Sequence, residues 1–313
     1  MCGIVGLYLK NPALNSQLGV LFEPMLLEMT QRGPDSTGFA LYRDPVAQGE
    51  VKVVMQHPDP DFDWAPVRAT LEARFGTLLS LRTQHTHCLM VLRAAEDAVQ
   101  TWLLRQALPV AVVSVGRHIE IYKEVGLPVD VARAFALRAA QGSHAIGHTR
   151  MATESAVTTA GSHPFSTGSD LCLVHNGSLS NHNRLRRRLQ KAGAVFRTEN
   201  DSEVAAQFFD MQMRDGASLE DALKAALHEL DGFYTFTIGT SDGFAVLRDP
   251  IACKPAVMAE TADWVAMSSE YRALARLPGV EGARVWEPEP ATVYVWQQGR
   301  EVRGLAGAAA EVA

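Results

Sequence analysis

The sequence predicts an α+β protein, and three observations carry the prediction. Residues 3–9 are an unbroken apolar run of strand length, starting immediately behind the second residue. Helical periodicity is strong at 129–141 and recurs in a block at 180–192, 203–213 and 219–230. The remainder is β-rich: 232–238, a turn at Asp242-Gly243, then 244–248 form a hairpin pattern, with a further strand at 293–297.

Composition narrows the function classes. With 47% apolar and 20% charged residues, the 313-residue chain is an ordinary globular protein able to bury a sizeable core. A net charge of -6 offers no basic stripe, so nucleic acid is not an expected partner. No run of 18 apolar residues predicts a membrane span, and the N-terminus lacks the charged and apolar regions of a signal peptide, so a cytoplasmic location is expected. Cys2, Cys88, Cys172 and Cys253 are widely spaced without a CxxC pair, which predicts neither disulfides nor a cysteine zinc site.

The elements follow in chain order. Removal of Met1 would leave Cys2 with a thiol and a free α-amine on one residue, a nucleophile beside a general base that titrates near about 8 in simple peptides. Taken alone, Cys2 reads equally as a small buried hydrophobe opening a strand. Residues 17–31 have helical spacing with Pro24 at a start or kink, and end in the turn-rich loop 32–38. Arg32 is either an exposed loop arginine or the partner of a carbonyl near the N-terminus. A second strand follows at 39–42.

Residues 49–110 change texture: strand 51–56, helix 67–75, strand 87–92, helix 97–108 and strand 110–115 predict a small α/β unit with its own sheet. His85 and His87 lack an evident third ligand, so no metal is assigned there. After strand 118–123 comes the helix 129–141, which Gly142 should stop.

A dense stretch, Ile146-Gly147-His148-Thr149-Arg150, reads as a strand ending in Arg150. The Ser/Thr/Ala/Gly-rich segment up to His163-Pro164-Phe165 has the composition of a flap. Leu171 to Gly177 reads as a strand running into an Asn-Gly turn. Asn176-Gly177 is either a plain hairpin turn or the site of two convergent donors, a side-chain amide and a backbone N–H, as an oxyanion requires. The helix at 180–192 carries Arg184, Arg186, Arg187 and Arg188, a solvated or partner-facing face on an acidic protein. Asp201 either caps the next helix or binds an amine. The Ala/Gly-rich tail from Gly304 is expected to fray.

The ordered set Cys2-Gly-Ile-Val-Gly6, Arg32-Gly-Pro-Asp-Ser36, Gly147-His-Thr-Arg150, His175-Asn-Gly177, Thr198…Asp201-Ser-Glu203, Leu230-Asp-Gly232, Arg248-Asp-Pro250 and Ser268-Ser-Glu270 resembles the class II glutamine amidotransferases. The resemblance covers 2–303 except the insertion at 49–110. It implies a four-layer αββα N-terminal nucleophile hydrolase sandwich, with the insertion placed between strands at 38–43 and 117–123. It also implies roles: Cys2 attacks the amide of L-glutamine, Asn176 and Gly177 hold the oxyanion, Arg150 takes the substrate α-carboxylate, Asp201 the α-ammonium, Thr153 lines the pocket and Arg32 supports the N-terminus. Residues 151–164 correspond to the glutamine lid. Met151, where the family often has an aromatic residue, and the lid sequence 154–162 are departures.

Within the class, the chain is most similar to stand-alone amidotransferase subunits of glutamate-synthase-like systems, such as N-methylglutamate synthase. That implies a hetero-oligomer in which ammonia passes to a synthase subunit. No cofactor is expected in this chain; a flavin or iron–sulfur centre would belong to the partner. The insertion and the arginine helix are the expected docking surfaces. Two other readings stay open: an N-terminal nucleophile hydrolase acting on another amide, and a catalytically silent regulatory subunit.

Overall fold

The computed structural model describes residues 2–152, 156–297 and 300–306. The chain begins β1 (Gly3–Leu9), α1 (Leu18–Glu28), β2 (Ser36–Tyr42). An inserted unit follows: β3 (Val51–Gln56), α2 (Ala65–Phe75), β4 (Ser80–Gln84), β5 (His87–Leu92), α3 (Glu96–Leu103), β6 (Ala111–Gly116). The main body resumes with β7 (Ile119–Val125), α4 (Pro128–Ala134), β8 (His144–Arg150), β9 (Cys172–Leu179), α5 (His182–Lys191), α6 (Asp201–Arg214) and α7 (Leu219–Glu229). It closes with β10 (Gly232–Gly239), β11 (Gly243–Arg248), β12 (Val257–Glu260), β13 (Trp264–Ser268), α8 (Tyr271–Leu274), β14 (Arg284–Trp286), β15 (Thr292–Gln297) and β16 (Arg300–Ala306).

Two antiparallel sheets form the centre, in the orders β14-β12-β13-β1-β8-β2-β7 and β16-β15-β11-β10-β9. Alternation along β1 shows how the layers are built. Ile4 and Tyr8 face the second sheet, packing with Ile146, Val174, Phe244 and Met267. Val5, Leu7 and Leu9 face the other way, onto Phe22, Met25 and Leu26 of α1 and Phe135 after α4. The outer face of the second sheet is covered by Leu185 and Leu189 of α5, Phe208 and Phe209 of α6, and Leu223 of α7. The result is the αββα order, with a period of two on each strand deciding which core a residue joins. The sheets approach closely at Gly6, where a Cβ would lie 2.3 Å from the Phe244 ring.

The inserted unit is a β-α-β-β-α-β module with sheet order β4-β5-β3-β6, all pairs antiparallel. Its own core sets Val53, Met55 and Met90 against Leu71 and Val99 of the two helices. It is joined to the body by the buried Glu120 of β7, which takes Lys52 at 3.2 Å and Arg82 at 3.1 Å.

Four expectations need correction. The insertion runs to Gly116 rather than 110, because β6 pairs with β3. The helix expected over 129–141 ends at Ala134: Ala136 adopts φ 48°, and a short 3-10 turn at Leu137–Ala139 follows. Asn176-Gly177 is not a hairpin turn but lies inside β9, paired with Thr235 and Tyr234. Residues 304–306 are paired in β16 rather than frayed, Leu305 opposite Val293.

Candidate active site

The N-terminal end of β1 is pinned from three sides. Ile4 N donates to Ser269 Oγ at 3.0 Å, and Ser269 N donates to the Ile4 carbonyl at 3.0 Å. Arg32 Nε donates to the Cys2 carbonyl at 3.0 Å while its Nη1 pairs with Glu270 at 3.1 Å. Asp35 ties this loop to the end of β8: its N–H donates to the Arg150 carbonyl, and its carboxylate accepts from Ala152 N at 2.7 Å. The loop can lie this close because of Gly33, where a Cβ would meet the Thr149 carbonyl carbon at 2.3 Å.

Two of the four thiols are withdrawn from chemistry by burial. Burial pushes Cys88 and Cys172 up to about 12, so neither offers a thiolate near neutral pH. Cys253 is exposed and Cys2 partly so.

Asn176 is brought to the same end by β9. Ile4 is paired with His148, and His148 Nε2 donates across the sheets to the His175 carbonyl at 3.0 Å, one residue before Asn176. Asn176 is 3% exposed, yet among the described residues its Nδ2 has no hydrogen-bond partner. A buried amide donor left unpaired is costly, which marks it as a group kept for a ligand. Gly177 beside it has φ +150°, and a Cβ there would sit 2.0 Å from the Phe233 carbonyl. Only glycine allows this backbone so close to the neighbouring strand.

Arg150 ends β8 and is 7% exposed, with Nη1 3.4 Å from the Ala156 carbonyl of the flap segment. Asp201 opens α6 but is not its cap; Asn200 caps the helix, accepting from Ser202 N at 2.9 Å. Asp201 instead accepts from Leu179 N at 2.9 Å, which locks α6 to β9 two residues beyond Gly177. Thr153 lies outside the described residues. The arginine helix contributes unexpectedly. Arg186 is 8% exposed and donates to the Thr198 and Asn200 carbonyls at 2.7 and 3.2 Å, holding the loop that delivers Asp201. It is therefore not a docking residue, whereas Arg184 and Arg187 are exposed.

A buried histidine group behind the site was not assigned any role from the sequence. His163 Nε2 and His175 Nδ1 both meet Ser202 Oγ, at 2.8 and 2.9 Å, and His148 stacks on His163 at 3.9 Å. Burial pulls His148 down to about 3 and His163 well below the usual value; His175 is lowered by burial against the opposing pull of Asp201. These rings are neutral hydrogen-bonding struts that position Asn176 and Asp201. Their signal in the sequence was three histidines next to Arg150, Pro164 and Asn176, each of which passes singly as a packing residue. Among the described residues, no group of three or more His, Cys, Asp or Glu could hold a metal. His85 and His87 instead pack against Phe135.

Residues 148–276 match the glutamine amidotransferase domain family. The chain is 55% identical to the glutamine amidotransferase-like protein GlxB of Rhizobium meliloti, over 95% of this chain and 98% of that one. It is 29% identical to a putative glutamine amidotransferase of Methanothermobacter thermautotrophicus, over 95% and 100%. In structure it is similar to the glutamine phosphoribosylpyrophosphate amidotransferase of B. subtilis, with TM-score 0.64 and 21% identity, over 99% of this chain and half of that one. With that identity to GlxB over nearly its whole length, and with the αββα sandwich, the chain belongs to the class II glutamine amidotransferases.

Proposed function

We propose that the protein is a glutaminase subunit that hydrolyses L-glutamine through Cys2 and delivers ammonia to a separate synthase subunit. The observation that carries the first half is the unpaired, buried Asn176 Nδ2 at the Cys2 end of the sandwich, next to the glycine-only backbone of Gly177. In this reading Met1 is removed and the α-amine of Cys2 accepts the thiol proton. Sulfur bonds to the glutamine δ-carbon, and the carbonyl oxygen takes the negative charge between Asn176 Nδ2 and Gly177 N–H. The C–N bond then breaks, the proton goes to the leaving ammonia, and water cleaves the thioester to release glutamate. Arg150 and Asp201 supply one cation and one anion, the pair that a free amino acid presents in reverse. Arg32 positions the Cys2 backbone.

The second half rests on the surroundings of that end. Met151, Phe233, Ile251 and Tyr271 are exposed apolar residues, each adjoining a segment of the site: Arg150, the Gly177 pairing, the Arg248-Asp249 loop and Glu270. Such a rim suits a subunit interface around an ammonia exit. The resemblance favours a synthase of the glutamate or N-methylglutamate type, with any flavin or iron–sulfur centre in the partner. Supplying amide-15N glutamine together with unlabelled ammonium to the assembled complex tests both halves. Product carrying 15N supports direct transfer; product with the isotope ratio of bulk ammonium rejects it. Glutamate release lost in Cys2→Ser supports the nucleophile, and release retained rejects it.

A further inference from the structure

A second cavity lies behind the flap, walled by β6 and α3 of the inserted unit, by residues 159–168 and by residues 195–207 before and within α6. None of Cys2, Arg150, Asn176, Gly177 or Asp201 lines it. We infer that this cavity is a binding site for a small carboxylate with an apolar body, seated between the inserted module and the amidotransferase core.

Three features of the cavity point to that ligand. Its space is about 120 Å³, and on this measure a water needs about 10–15 Å³, so it holds roughly ten non-hydrogen atoms. The Lys123 ammonium is buried at its wall. The acceptors it reaches are the backbone carbonyls of Ala160, Ser162 and Pro164, at 3.3, 2.8 and 3.4 Å, and among the described residues of the wall Lys123 and Arg197 set two cations against one carboxylate, Glu203, which pulls on Lys123. Glu203, the carboxylate lining the cavity, is engaged elsewhere, accepting from Arg197 N and from Thr198 N and Oγ1. Ser114 Oγ, on a residue 2% exposed, and Thr167 Oγ1 are buried hydroxyls at the cavity with no partner among the described residues. Leu103, Val113 and Phe165 give the wall an apolar part, beside the polar Gln56, Gln100 and Gln207. A carboxylate seated in the field of Lys123 and Arg197 would accept from both orphan hydroxyls. Burial lowers Lys123 to about 8, the direction in which an arriving anion would raise it again.

The consequence is a physical route from the inserted module to the flap. Lys123 grips the flap's far anchor at Ser162, and Arg150 meets its near end at Ala156. The site does not depend on the glutaminase reading, so it is tested by binding, on full-length Cys2→Ala protein. Calorimetric titration with 4-methylpentanoate is compared with its neutral isostere 4-methylpentanamide. The acid should bind at least roughly tenfold more tightly than the amide. Lys123→Met should abolish that preference, and Ser114→Leu, which fills the cavity, should abolish binding of both. If Lys123→Met fails to fold, Ser114→Leu alone decides. Equal binding of acid and amide, no binding of either, or binding that survives Ser114→Leu would overturn the inference.

Discussion

Lowering the pH from 7.5 to 5.5 should destabilise the protein by about 4 kcal/mol, before any ordinary carboxylate titrates. His87, His144 and His148 are held neutral by burial, each pulled from 6.5 down to about 3. Their folded pKa lies below the unfolded one, so the unfolded chain binds protons that the native state refuses. Stability is therefore full above pH 6.5 and falls as pH drops through the window from 6.5 to 3. At pH 5.5 each ring costs about 1.4 kcal/mol, and the three together about 4, a large fraction of a typical 5–15 kcal/mol. His163 acts in the same direction, while Asp210, whose carboxyl burial raises, acts in the other. The geometry explains the refusal. His144 Nε2 donates to the Thr240 carbonyl at 3.0 Å and the ring stacks on Tyr42 at 4.0 Å, buried so fully that the loss of water around a charged ring outweighs the opposing pull of that carbonyl. Urea unfolding followed by tryptophan fluorescence at the two pH values gives the difference directly. His144→Gln should shrink the pH effect by about 1.4 kcal/mol. Equal stability at pH 7.5 and 5.5, or an undiminished effect in His144→Gln, would refute the reasoning.

Asn176→Ala should lower glutaminase turnover by about 10²–10³ with little change in KM, because the donor acts on charge that develops only in the transition state; steady-state kinetics checks this. Gly177→Ala should lower both activity and Tm, since its Cβ would lie 2.0 Å from the Phe233 carbonyl, and thermal unfolding reads the second effect. Arg186→Ala should cost about 1–3 kcal/mol and raise the KM for glutamine by loosening the loop before Asp201. The exposed Arg184→Ala and Arg187→Ala should stay within about 0.5 kcal/mol of the parent in the same denaturation assay.

Much of this was legible in the sequence, for identifiable reasons. β1 and the β10–β11 hairpin are runs rich in apolar and β-branched residues bounded by turn formers, and the periodic helices α5 to α7 lie where their patterns place them. The edge strand β4 escaped notice because its sequence, Ser-Leu-Arg-Thr-Gln, has no buried face to pattern. The early end of α4 comes from a single alanine in a left-handed conformation, fixed by packing around Phe135 rather than by local propensity. Asn176-Gly177 has the composition of a hairpin turn, and pairing with β10 overrides it. Arg186 looked like one of four equivalent surface charges. Its role depends on carbonyls 12 and 14 residues away, which no local pattern reveals.

The central claim is that Cys2 is the nucleophile that opens glutamine. Intact mass of the purified protein, taken before and after treatment with the glutamine analogue 6-diazo-5-oxo-norleucine, tests it most directly. Loss of Met1 and a single adduct mapping to Cys2, with the exposed Cys253 unmodified and glutamate release abolished, is the predicted result. A retained Met1 with no adduct, or an adduct on Cys253 with activity intact, would contradict it.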